Sequence, residues 1–133
     1  MNTITHFLFP APAHRSTAAI FIWWESRRLA YNAIVGATGI FSLGIMAAFV
    51  SLPPGPGSLP PLPLVIVYGI AANVFYGLGP LVECAIEMIW PRKLLPVGPV
   101  LFRMGLTFSL GLNFLAVMIM GWDWVIRVLK FLI

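Results

Sequence analysis

Two long stretches of this chain contain no charged side chain at all. Residues 29–82 lack Asp, Glu, Lys and Arg, and residues 104–122 lack them as well. The hydrocarbon core of a bilayer is about 30 Å thick, so one helical crossing needs roughly 20 apolar residues. A run of prolines and glycines over 53–63 forbids a continuing helix and divides the first stretch in two. The pattern predicts an all-α integral membrane protein, a single membrane domain over 1–133 with three transmembrane helices at approximately 28–52, 64–90 and 100–121.

The end of the chain follows a different pattern. Residues 122–133 are too few for another crossing, and their charges lie at Asp123, Arg127 and Lys130. On a helix, the spacing i, i+4, i+7 gathers these charges into one polar stripe and lets Asp123 pair with Arg127. The sequence predicts a short C-terminal amphipathic interfacial helix, which lies on the membrane or docks on a partner.

Composition agrees with a membrane location. Hydrophobic residues make up 60% of the chain and charged residues 9%, against about 25% charged in soluble domains. The net charge of +4 is the balance of eight scattered basic residues, which mostly flank the apolar segments, and four acidic residues. This distribution favours the lipid bilayer as a partner and gives no reason to expect nucleic-acid binding.

The basic residues also predict an orientation. They gather before and at the start of the first span and around the second loop, whereas the Pro/Gly loop over 53–63 contains none. We expect the protein to lie in the inner (plasma) membrane of the cell. By the positive-inside rule, its N-terminus and the loop over 91–98 then face the cytoplasm. The C-terminal segment then lies outside, although Arg127 and Lys130 argue mildly against it. We expect tryptophans at both interfaces, with Trp23, Trp24 and Trp90 on one side and Trp122 and Trp124 on the other.

Polar residues that could carry function gather at the predicted cytoplasmic end. Charges there must be paired or hydrated, so we expect Glu83 or Glu87 to pair with Arg103, and Arg28 to pair with the other carboxylate. Three interpretations remain open: an ion-pair network that locks the helices, a polar vestibule for an ion, lipid headgroup or proton-linked substrate, and side chains that snorkel to water. The candidate cluster consists of Glu25, Arg28, Asn32, Glu83, Glu87 and Arg103.

Small and polar residues recur at helical spacing in the second and third spans. Glycine at such positions lets helix backbones approach, and an amide can hydrogen-bond across the contact. We interpret the stripes as helix packing within or between subunits, with Asn73 facing Asn113 or Ser109 in a pore as the alternative. The stripes are Gly69, Asn73 and Gly77, and Gly105, Ser109 and Asn113, with Tyr76 as a further candidate packing residue.

Motifs for catalysis, cofactors or metals are not found in the sequence. The two histidines, His6 and His14, precede the spans and lack partners at metal-ligand spacing. Cys84 is the single cysteine, which excludes an intrachain disulfide and a CxxC pair. We therefore expect no catalytic residue, no cofactor and no metal.

Two segments carry a resemblance. Residues 23–32, WWESRRLAYN, and residues 72–80, ANVFYGLGP, resemble small uncharacterised bacterial inner-membrane proteins. The resemblance implies a bacterial setting and no particular activity. It draws attention to Glu25, Arg28, Asn32, Asn73 and Tyr76 as a shared polar cluster.

These features favour a non-enzymatic accessory or assembly subunit of a membrane complex. Such a subunit associates through its helices with other membrane subunits or with itself. The alternative is a homo-oligomeric channel or small transporter with the Glu/Arg cluster at its cytoplasmic mouth. A membrane enzyme acting on lipid would need a catalytic pair, which we do not find.

Overall fold

The computed structural model describes residues 16–54, 57–90 and 97–133, and this part of the chain forms three long helices. They are α1 over Thr17–Ser51, α2 over Leu62–Ile89 and α3 over Gly98–Leu132. Each is long and apolar enough to cross a membrane. The prediction of a helical protein with three membrane-capable helices is therefore confirmed.

Local sequence sets the helix ends. Ser16 is the N-cap of α1, and its side chain accepts a hydrogen bond from the Ala19 N–H at 3.3 Å. Pro61 precedes α2 in an extended conformation, with φ −63° and ψ 139°. Proline is also tolerated in the first turn of a helix because its missing N–H would have no intrahelical acceptor there. Pro80 lies inside α2, which continues through it.

The C-terminal residues differ from the prediction. A separate interfacial helix over 122–133 is not shown, because α3 continues without a break to Leu132. Gly121 is the one weak point in this region, and a single glycine disfavours a helix by only about 1 kcal/mol. At 35 residues, α3 is about 50 Å long and exceeds the thickness of the hydrocarbon core. The expected Asp123–Arg127 pair is present, with Oδ2 and Nε 3.1 Å apart.

The three helices are not packed equally. α1 contacts α3 more extensively than it contacts α2, and α2 touches α3 least. A largely aromatic core lies near the N-terminal half of α1, the C-terminal half of α2 and the start of α3. Its buried members are Ile20, Trp23, Trp24, Tyr31, Val35, Tyr76, Cys84 and Phe102.

The indole of Trp24 packs directly against Gly79. A Cβ added at Gly79 would overlap the six-membered ring of Trp24, whereas a Cβ added at Gly77 would meet nothing within 4 Å. The ring has little room to retreat, because Trp24 is only 2% exposed. Gly79 is therefore required for the close approach of α1 and α2.

We predict that Gly79→Ala destabilises the folded protein by about 1–3 kcal/mol, the usual cost of overpacking a core. Gly77→Ala is the matched control on the same helix and should leave stability unchanged or slightly improved, since alanine favours the helix over glycine. Thermal unfolding of the detergent-solubilised variants, followed by circular dichroism, measures both. Equal melting temperatures for the two variants would contradict this packing.

Candidate functional site

A buried carboxylate lies at the centre of the predicted cytoplasmic end. Glu83 on α2 is 4% exposed, and its Oε2 accepts a hydrogen bond from the Trp24 indole Nε1–H at 2.7 Å. The Tyr76 hydroxyl in turn donates to the Trp24 backbone carbonyl at 2.6 Å. These two bonds run in opposite directions between α1 and α2, so they fix the depth of each helix relative to the other.

The same carboxylate lies against the beginning of α3. A Cβ added at Gly98, in the first turn of α3, would overlap the Glu83 carboxylate. The N-terminus of a helix carries partial positive charge on its unpaired N–H groups, so it favours a negative group at this position. Glu83 is thus the point at which all three helices meet.

Aromatic rings enclose this point. Trp24 makes edge-to-face contacts with Tyr76 and Phe102, at centroid distances of 5.3 and 6.2 Å. On the other side, Arg27 is buried and its guanidinium lies 4.0 Å from the centre of the Trp23 ring. Edge-to-face rings and cation–π contacts add specific geometry to the area that they bury. These contacts hold in place the Trp24 indole that donates to the carboxylate.

The predicted cluster is only partly brought together. Arg28 pairs with Glu25, one turn away on its own helix, at 2.7 Å, and its pairing with a carboxylate of α2 stays a prediction. Asn32 and Glu87 are half-buried, and Arg103 is exposed with its Nε–H donating to the Pro99 carbonyl at 3.3 Å. Pairing of Glu83 or Glu87 with Arg103 stays a prediction.

Ser109 and Asn113 lie on the face of α3 that contacts α1. Ser109 Oγ is 2.7 Å from the Tyr31 hydroxyl, and the Ser109 carbonyl accepts from the Tyr68 hydroxyl at 2.8 Å. Asn113 Nδ2 donates to the Val35 carbonyl at 3.2 Å. Both side chains are buried, so the structure gives them a place in helix packing within one chain.

The stripe of Gly69, Asn73 and Gly77 on α2 faces away from the other two helices. The Asn73 side chain donates only along its own helix, to the Gly69 carbonyl at 3.1 Å. A Cβ added at Gly69, Gly77 or Gly105 would meet nothing within 4 Å. These glycines therefore do not mediate close contact among the described helices, and Asn73 does not face Asn113 or Ser109 within one chain.

The sequence predicted different surroundings for two tryptophans of the site from those found in the structure. Trp23 and Trp24 were expected to anchor the helix at the headgroups, but they are 8% and 2% exposed, so their rings pack inside the bundle and do not face lipid. Trp90 and Trp122 are exposed at 54% and 69%, as an interfacial ring would be. A tryptophan next to arginine fits either location, so this pattern could not separate an anchor from a buried donor.

The opposite end of the bundle has its own polar junction. Arg127 Nη2 donates to the Phe49 carbonyl in the last turn of α1 at 3.1 Å, and Trp124 Nε1 donates to the Pro53 carbonyl at 3.0 Å. Carbonyls at a helix C-terminus lack intrahelical donors and carry partial negative charge. The Arg127 guanidinium supplies both a hydrogen-bond donor and a positive charge, and so connects α3 to the end of α1.

Comparison with known proteins found no matching family model, no matching curated protein and no matching solved structure. The resemblance to small bacterial inner-membrane proteins therefore stays a prediction. Among the residues that the structure describes, no three His, Cys, Asp or Glu side chains are grouped so that they could hold a metal ion. The arrangement around Glu83 is that of a buried, hydrogen-bonded helix junction.

We predict a coupling energy of about 1.5–3 kcal/mol between Trp24 and Glu83, the range for hydrogen bonds to charged groups. The measurement is a double-mutant cycle of Trp24→Phe and Glu83→Leu by denaturant unfolding in detergent, which separates the hydrogen bond from the lost ring area. Trp90→Phe with Glu83→Leu is the control cycle and should show no coupling. A Trp24–Glu83 coupling near zero would mean that the bond contributes nothing to the junction.

Proposed function

We propose that this protein is a non-enzymatic accessory or assembly subunit that acts through helix contacts in a larger membrane complex. The observation that carries the proposal is the outward direction of the Gly69, Asn73 and Gly77 stripe of α2. Glycines that admit a close neighbour, around a polar amide, are typical of contacts between membrane helices. Because the chain's own helices do not use this face, a helix of another subunit is its natural occupant.

The surroundings of the stripe support the proposal. Gly69 and Asn73 line a shallow depression between α1 and α2, together with Ile66, Ile70 and Val74. Arg28 of α1 also lines the depression, with 40% of its side chain exposed. A partner helix with an acceptor at the depth of Asn73 would satisfy the amide in a region where no water competes.

The polar interior also supports a structural role. Three buried side chains donate hydrogen bonds to backbone carbonyls of another helix, namely Tyr31, Tyr76 and Asn113. A side chain held in this way fixes the position of one helix backbone relative to another. The interior therefore has the properties of a scaffold that presents fixed outer surfaces.

We further propose the location and orientation. The distribution of basic residues supports a bacterial inner membrane with the N-terminus and the loop over 91–98 in the cytoplasm. The last turns of α3, with Asp123 and Arg127, then extend beyond the hydrocarbon on the outer side and lie at the membrane surface or against a partner.

A second candidate is the homo-oligomeric channel or small transporter. The outward position of Asn73 near the middle of α2 favours it, because several copies could bring these amides around a shared polar path. Gentle extraction of the tagged protein, with mass spectrometry of the intact assembly, separates the candidates. A stoichiometric foreign subunit supports the accessory role, whereas a pure homo-oligomer overturns it in favour of the channel.

We predict that Gly69→Leu releases the partner from the purified assembly, because the side chain fills the depression and its Cβ meets no atom of the chain within 4 Å. Gly111→Leu is the control, since Gly111 on α3 is equally open but lies outside the depression. The partner-to-protein ratio in the same extraction is the readout. Retention of the partner by Gly69→Leu at the level of Gly111→Leu would place the contact elsewhere.

A further inference from the structure

A groove of about 410 Å³ opens between α2 and α3, on the side of α2 away from the Gly69 stripe. Its walls are formed by apolar side chains of the two helices, among them Phe75, Val82, Met104 and Phe108. Gly105 also lines it, and a Cβ added there would meet nothing within 4 Å. The volume lies within the range of about 300–1,000 Å³ that is usual for ligand sites.

The floor of the groove favours hydrocarbon over a polar ligand. The hydroxyls of Tyr31, Tyr68 and Ser109 line it, but they are hydrogen-bonded to one another or to backbone carbonyls. Their polar atoms are therefore engaged within the protein, and the surface offered to an occupant is apolar. An extended chain of methylene groups suits such a surface at membrane depth.

One end of the groove lies close to an exposed positive charge. Arg103 immediately precedes the charge-free stretch over 104–122, which as a helix covers about 28 Å and matches the hydrocarbon thickness. This places Arg103 at headgroup level. A second depression, lined by Arg103 and Thr107, shares Met104 and Phe108 with the groove, so the two are separated by a single ridge.

We propose that this pair of depressions is a binding site for one anionic glycerophospholipid. The phosphate lies at Arg103, and one acyl chain follows the ridge of Met104 and Phe108 into the groove between α2 and α3. The charge selects the lipid, because an exposed guanidinium at headgroup depth attracts a negative headgroup and hydrogen-bonds its phosphate oxygens. The glycine at position 105 leaves the space that the chain occupies.

The test is native mass spectrometry of the full-length protein in detergent, titrated with phosphatidylglycerol or with phosphatidylcholine of the same chain length. We expect one phosphatidylglycerol to be retained per chain, and retention of phosphatidylcholine to be several-fold weaker. Arg103→Gln should weaken phosphatidylglycerol binding about fivefold, as expected for one basic residue at the surface. Arg103→Lys should restore most of the binding, because it keeps the charge.

Two further variants separate a built site from general attraction. Gly105→Leu should lower retention of phosphatidylglycerol by filling the groove, whereas Gly111→Leu on the same helix should bind like the unaltered protein. Lys130→Gln removes an exposed charge near the far end of α3 and should have no effect. Equal losses in Arg103→Gln and Lys130→Gln, or unchanged binding in Gly105→Leu, would overturn the proposal. Melting temperatures of the variants identify any loss caused by unfolding.

Discussion

The junction at Glu83 is the constraint on which the arrangement of the three helices depends. A buried carboxylate is costly unless hydrogen bonds and nearby positive charge stabilise it, and here Trp24 donates from α1 while the start of α3 supplies a partial positive charge. Each contribution comes from a different helix, so moving any one of them removes part of the stabilisation. The absence of side chains at Gly79 and Gly98 follows from this arrangement, because the indole and the carboxylate need the space.

The two ends of the bundle use the same electrostatic principle with opposite signs. At one end, a carboxylate lies at the N-terminus of α3, and at the other, the Arg127 guanidinium donates to a carbonyl in the last turn of α1. Between them, hydroxyl and amide groups of Tyr31 and Asn113 connect the helices where water is absent. Helix ends and buried polar side chains thus satisfy one another, as a hydrocarbon environment requires.

Sequence reasoning predicted the helices well and their faces poorly. The charge-free stretches and the prolines over 53–63 give the three spans because length and turn chemistry are local properties. Other features depend on contacts between helices and not on local sequence. They are the outward direction of Asn73, the burial of Trp24 and the continuation of α3 past Gly121. Spans that are apolar on all sides have no single hydrophobic stripe, so periodicity cannot show which face meets a neighbour. Glu83 was selected from sequence, but its indole donor was not.

The preference of α1 for α3 has a consequence for biosynthesis. Along the chain α1 precedes both α2 and α3, but its most extensive contacts are with α3 and not with its sequence neighbour α2. Until Gly98 and the residues after it have been synthesised, the Glu83 carboxylate lacks one of its stabilising neighbours. Because α2 lies between α1 and α3 along the chain, α1 can make its most extensive contacts only after α2 and α3 have both been synthesised.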